Sequence, residues 1–126
     1  MISVKPQRES LEEARVLSKT AINAAALLEI NGATLGAVLG LSEATISRMK
    51  RLDYVLEPGS KAFELAILFV RVFRSLDAIT GGDGAVAKAW LRNHNVVFHA
   101  NPIDKIQKVS GLTDVLHYLD ARRAII

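Results

Sequence analysis

The sequence predicts an all-α protein, with an N-terminal helix-turn-helix over residues 1–59 packed with a small helical domain over residues 60–126. Three observations carry this. Apolar residues recur at helical spacing almost throughout the chain. Helix-start and helix-stop residues fall between the apolar stretches. One glycine turn joins two short helices between Leu35 and Met49.

The elements follow in order. Leu17, Ala21, Ala24 and Leu28 form one stripe of a helix, which Asn31-Gly32 is expected to stop because both residues tolerate the left-handed conformation. A short helix from about Thr34 to Leu39 ends at Gly40. Ser42 then caps a helix running to about Arg51. Pro58-Gly59 marks a turn, with Ser60 as the next cap.

Lys61 to Ile79 is the longest segment. Two apolar stripes (Leu65, Leu68, Val72, Leu76, Ile79 and Phe63, Ala66, Val70, Phe73) leave only a narrow polar strip with Glu64 and Arg71. Such a helix must be buried on most of its circumference, as a central helix or a dimer seam. The residues expected to form that seam are Leu65, Leu68, Phe69, Val72 and Leu76. Gly81-Gly82-Asp83-Gly84 breaks the chain before a helix to about Asn93 carrying Trp90. Asn95 to Ala100 reads as a loop or short strand. Asn101-Pro102-Ile103-Asp104 starts a helix expected to end near Ser110-Gly111. A last helix carries Leu112, Val115, Leu116 and Leu119.

Composition bounds the function. Sixteen Lys and Arg against thirteen Asp and Glu leave +3, which excludes a tail-driven nucleic-acid binder. The absence of cysteine excludes disulfides, thiol chemistry and Cys-ligated metal sites. Met1 to Arg8 is polar with no signal-peptide core after it, and the longest apolar run, Leu65 to Val70, is six residues. A cytoplasmic protein without a membrane segment is expected. Apolar residues make up 50% of the chain and mean hydropathy is +0.23, high for so short a chain. A homodimer, a tight protein partner, or both are expected to cover the surplus.

The helix-turn-helix has identifiable parts. Gly36 is the tiny residue at the crossing, Gly40 the turn residue, and Leu35, Leu39, Leu41, Ile46 and Met49 the apolar plugs. The second helix then offers Ser42, Glu43, Thr45, Ser47, Arg48, Lys50 and Arg51 to a DNA major groove. Its arginines suit guanine edges, and its hydroxyls suit phosphates. A purely structural helix pair remains the competing reading of the same pattern.

With that motif in place, the chain resembles the Xre/MbcA/ParS-type antitoxins of RES–Xre toxin–antitoxin systems. The resemblance runs from about Ala14 onward. It is carried by residues 41–48, Arg71-Val72-Phe73-Arg74-Ser75-Leu76-Asp77, Gly81-Gly82-Asp83, Ala89-Trp90-Leu91, Asn101-Pro102-Ile103-Asp104, Gly111-Leu112 and Tyr118-Leu119-Asp120-Ala121-Arg122. One departure is Ala100 before Asn101-Pro102, where a glycine is common. The resemblance implies an Xre/Cro-like domain that binds operator DNA, and a C-terminal part that binds a RES-domain, NAD-consuming toxin and covers its active-site cleft.

Other candidates are weaker. The Gly81–Gly84 run lacks the strand and the Lys-Ser/Thr of a phosphate loop. His94, His99 and His117 are not at metal-ligand spacing, and no cofactor is expected. No catalytic constellation stands out. Trp90 reads as a core anchor or an interface hot spot. Tyr118, Asp120, Arg122 and Arg123, followed by Ala124-Ile125-Ile126, read as a frayed terminus or as a device inserted into the toxin. A stand-alone dimeric repressor is the alternative.

Overall fold

The longest apolar segment of the sequence lies at the centre of the protein. The computed structural model describes residues 4–125 as seven helices: α1 (Val4–Leu27), α2 (Gly32–Leu39), α3 (Glu43–Lys50), α4 (Lys61–Ile79), α5 (Gly84–Arg92), α6 (Pro102–Lys105) and α7 (Val109–Ile125). α4 packs most extensively on α7, then on α1 and α2, and touches α5. Phe69, Val72 and Leu76 are fully enclosed by these neighbours, each side chain contributing about 1.5–3 kcal/mol. This corrects the expected dimer seam. Phe69, Val72 and Leu76 fill the interior of a single chain, and Leu65 and Leu68 are half-buried against the same core.

One hydrophobic cluster runs from Ala21 to Leu119. The turn at Pro58-Gly59 therefore separates elements without dividing the core. Two buried hydroxyls stitch the layers. Ser18 donates to the Ala14 carbonyl and accepts the Leu56 N–H at 2.9 Å, tying α1 to the segment that leads into α4. Ser75 does the same kind of work between α4 and α7, donating to Asp120.

Several helix ends differ from expectation. α1 ends at Leu27 and the chain turns at Glu29, which adopts a left-handed backbone (φ 54°), while the Ile30 N–H reaches back to the Ala25 carbonyl at 2.8 Å. The end is held from outside: Arg92 donates to the carbonyls of Leu28 and Glu29, and Lys88 pairs with the Glu29 carboxylate. Asn31 starts the next helix instead, its side chain accepting the Thr34 N–H. Ser42 and Ser60 cap α3 and α4 as the sequence predicts.

The segment after Asn101 is one turn, α6, and not a helix to Gly111. The Asn101 side chain makes no capping bond, though Pro102 does occupy the first turn. Gly111 lies inside α7, buried, where an added Cβ would collide with the Lys105 carbonyl. That close approach lets α6 fold back against α7. The loop before it, Asn95 to Ala100, is closed by a single antiparallel bridge between those two residues.

Candidate functional site

Two surfaces stand out, one on α3 and one where α5, the 95–100 loop and α7 meet. The first begins with the α2–α3 turn. Gly40 takes the left-handed conformation (φ 70°) that the sharp turn requires. A Cβ on Gly36 would stand 2.5 Å from the Leu41 carbonyl oxygen, so only glycine fits where the turn crosses α2. Ile46 and Met49 are buried beneath α3.

The opposite face of α3 carries Ala44, Ser47, Arg48 and Arg51. Its polar side chains are pre-ordered along the helix. Ser42 accepts the Thr45 N–H, Arg48 donates to the Thr45 hydroxyl at 3.1 Å, and Arg51 donates to the Ser47 hydroxyl at 3.0 Å. Arg51 also pairs loosely with Asp53 at 3.4 Å, an exposed contact worth little. Glu43 and Lys50 lie toward one edge, both beside Gly32 at the start of α2. The outward face is therefore narrower than the sequence list: Arg48 and Arg51 are exposed on it, Glu43 and Lys50 flank it, and Thr45 and Ser47 are both half-buried beneath the arginines. Flexible guanidiniums held over hydroxyls can swing to phosphate or base edges at small cost.

The second surface is aromatic. Trp90 stacks on Tyr118 with ring centroids 6.2 Å apart, and Phe98 meets both edge-on. All three rings are half-buried. Arg122 lies over the Tyr118 ring at 5.9 Å and donates to its hydroxyl at 3.3 Å. Trp90, Tyr118 and Arg122, with Val86 and Ile79, line a cleft of about 190 Å³. Beside it the loop tip exposes Val96 and Val97, 77% and 57% accessible. Asn95 holds that tip in shape by accepting the Val97 N–H at 2.9 Å.

The C-terminal candidates thus part company. Trp90, Tyr118 and Arg122 come together, and Arg123 is exposed nearby on α7. Asp120 does not join them: it accepts from Ser75 at 2.7 Å and from Arg71 at 3.2 Å, on the α4 side. Its role in the fold is that of a staple. Ile125 is 81% exposed, and Ile126 lies outside the described residues. Sequence reasoning missed Val96 and Val97. Their signal was an apolar dipeptide in a segment too short and too bounded by Asn and Pro to bury it.

His94, His99 and His117 are exposed and far from forming a ligand set, and no cluster of three metal-ligating side chains occurs among the described residues. No helix of the described residues is long and apolar enough to cross a membrane.

Comparison with known families agrees with this geometry. Residues 7–71 match the antitoxin Xre-like helix-turn-helix domain, and residues 75–124 match the antitoxin Xre/MbcA/ParS C-terminal toxin-binding domain. Both are non-enzymatic families. No curated protein matches the chain significantly. The first match contains the α3 face. The second contains the aromatic cluster, the valine loop tip and the arginines of α7.

Proposed function

We propose a division of labour from one premise: the chain belongs to the Xre-type antitoxin family. Residues 1–59 bind the operator of the chain's own operon. Residues 60–126 neutralise a RES-domain toxin that consumes NAD, by covering its active-site cleft. The protein works in the cytoplasm, as a homodimer within a larger toxin–antitoxin assembly.

The observation that carries this reading is the second surface. Trp90, Phe98 and Tyr118 pack against the core yet remain half-exposed, and Val96 and Val97 stand in water. Aromatic and arginine side chains around a cleft are what a protein-binding hot spot requires. Arg122 and Arg123 add two cations beside it, suited to the phosphates or carboxylates with which an NAD-consuming site is concerned. Inhibition of this kind is steric and asks no chemistry of the antitoxin.

Operator binding rests on Ser47, Arg48 and Arg51. One such helix with a mild net charge binds weakly, so two copies reading half-sites roughly 34 Å apart make the better repressor. Co-expression with the product of the adjacent gene, which this reading expects to be a RES-domain protein, tests the proposal. A complex that copurifies and no longer consumes NAD is expected. A toxin that stays active and unbound would refute the toxin reading and leave a stand-alone repressor.

A further inference from the structure

A groove outside both surfaces opens between α1 and the chain that leaves α3, and encloses about 340 Å³. Arg15 and Lys19 of α1 form one wall, and Met49, Leu52, Tyr54 and Val55 form the other. Its lining holds no carboxylate. Arg15 and Lys19 are exposed, and among the described residues neither makes an ion pair. Another side of α1 is acidic: Glu9, Glu12 and Glu13 line a larger groove against α4. α1 thus divides its charge between two grooves, and the cationic one borders the end of α3.

We infer that Arg15 and Lys19 bind the phosphodiester backbone of DNA beside the major groove that α3 enters. This site, which presupposes the operator-binding reading above, lies on α1 and outside the helix-turn-helix itself. Its position is continuous with the α3 face. Met49 and Leu52 border the groove, and Arg48 and Arg51 stand exposed on the same stretch of chain, so one cationic surface runs from α3 onto α1. A helix seated in the major groove brings the strand beside it against whatever flanks the helix. The charge fits as well. Asp53, the acid next to the groove wall, is paired with Arg51, which leaves both α1 cations for phosphate. Four residues apart, they are offset by about 6 Å along α1, so each can take its own phosphate of one strand.

The backbone of the far wall points the same way. Leu52 takes a left-handed conformation (φ 65°) and leaves its side chain 67% exposed beside the groove. Leucine is disfavoured there, and such strain collects at binding surfaces. The Asp53 N–H holds the turn by donating to the Arg48 carbonyl at 2.8 Å. The same segment is pinned to α1, because the Leu56 N–H donates to the buried Ser18 hydroxyl. The groove is therefore preformed, and seating a DNA strand against it asks for little rearrangement. A contact of this kind fixes orientation and adds affinity without reading sequence.

The test is the salt dependence of DNA binding by the full chain. Fluorescence anisotropy reads it on a duplex of the promoter region upstream of the gene and on a shuffled duplex of equal length. Arg15→Gln and Lys19→Gln are each expected to weaken binding to both duplexes alike, by about three- to tenfold, with native circular dichroism kept because both side chains are exposed. Each is also expected to lower the slope of log affinity against log salt by about one per bound copy. Arg15→Lys, which keeps the charge, should keep the slope. Lys108→Gln, which removes an exposed cation between α6 and α7, should leave both affinity and slope in place. An unchanged slope in both glutamine variants, a loss confined to the promoter duplex, or an Arg15→Lys variant as impaired as Arg15→Gln would overturn the inference. Those results leave the operator reading standing if the native chain still prefers its promoter and Arg48→Ala abolishes that preference. A native chain that binds neither duplex refutes the operator reading itself, and this site with it.

Discussion

Ser75 and Asp120 lie 45 positions apart in sequence and share a hydrogen bond of 2.7 Å that joins α4 to α7. Arg71 holds the second carboxylate oxygen at 3.2 Å. The Ser75 side chain is buried, so its hydroxyl depends on this partner. Asp120→Ala is expected to cost about 1–3 kcal/mol of stability, the penalty of an orphaned buried donor. Urea denaturation measures it. Asp120→Asn, which still accepts from Ser75, is expected to cost less, and both variants should neutralise toxin normally once folded. A large loss of neutralisation in a stable Asp120→Asn variant would return Asp120 to the toxin contact surface.

Gly36 and Gly111 are held by close backbone approach. At each, an added Cβ meets a carbonyl of the chain, that of Leu41 or that of Lys105. Carbonyls cannot swing aside as side chains do. Alanine at either position is therefore expected to destabilise by about 1–3 kcal/mol or more, read as a lowered denaturation midpoint. Gly84→Ala, where nothing stands within 4 Å, is the control that should leave the midpoint in place.

What the sequence made legible was what local rules decide. Ser42 and Ser60 cap helices because their hydroxyls accept the backbone N–H three residues on, and α4 spans the very residues its apolar stripes mark. Where tertiary contacts decide, reading by pattern failed. The chain turns at Glu29, past the end of α1, because Arg92 and Lys88, more than fifty residues later, hold it there. Gly111 looked like a helix end because glycine often is one, yet it serves α6–α7 packing. The same limit applied to the site. Periodicity marked Phe69, Val72 and Leu76 as apolar but not which surface would cover them, and Asp120 gave no sign that Arg71 and Ser75 would claim it.

On α3, Arg48 projects outward and, among the described residues, its side chain is hydrogen-bonded only to Thr45. Arg48→Ala is expected to weaken operator binding by about 1–3 kcal/mol if it reads a base, with reduced discrimination at that position. Gel shifts on native and altered operator sequences measure both. Neutralisation of the toxin by this variant should be unchanged, since the second surface lies in another part of the fold.

Val96 and Val97 contribute no buried core, so aspartate at either position should shift stability by no more than about 0.5 kcal/mol. If the loop tip enters the toxin interface, the same substitutions desolvate a charge there, and affinity is expected to fall by at least about tenfold. Calorimetric titration of the toxin with Val96→Asp and Val97→Asp checks this, with operator binding as the internal control.

The claim that matters most is that the α5–α7 surface occludes an NAD-consuming site. Its most direct measurement is NAD loss catalysed by a RES-domain toxin, titrated with the native chain, with Trp90→Ala and with a chain ending at Ala121. The native chain is expected to stop NAD consumption at a fixed molar ratio, and both altered chains to need a large excess or to fail. Undiminished inhibition by both would contradict the account, because the cleft lined by Trp90, Tyr118 and Arg122 would then have no part in it.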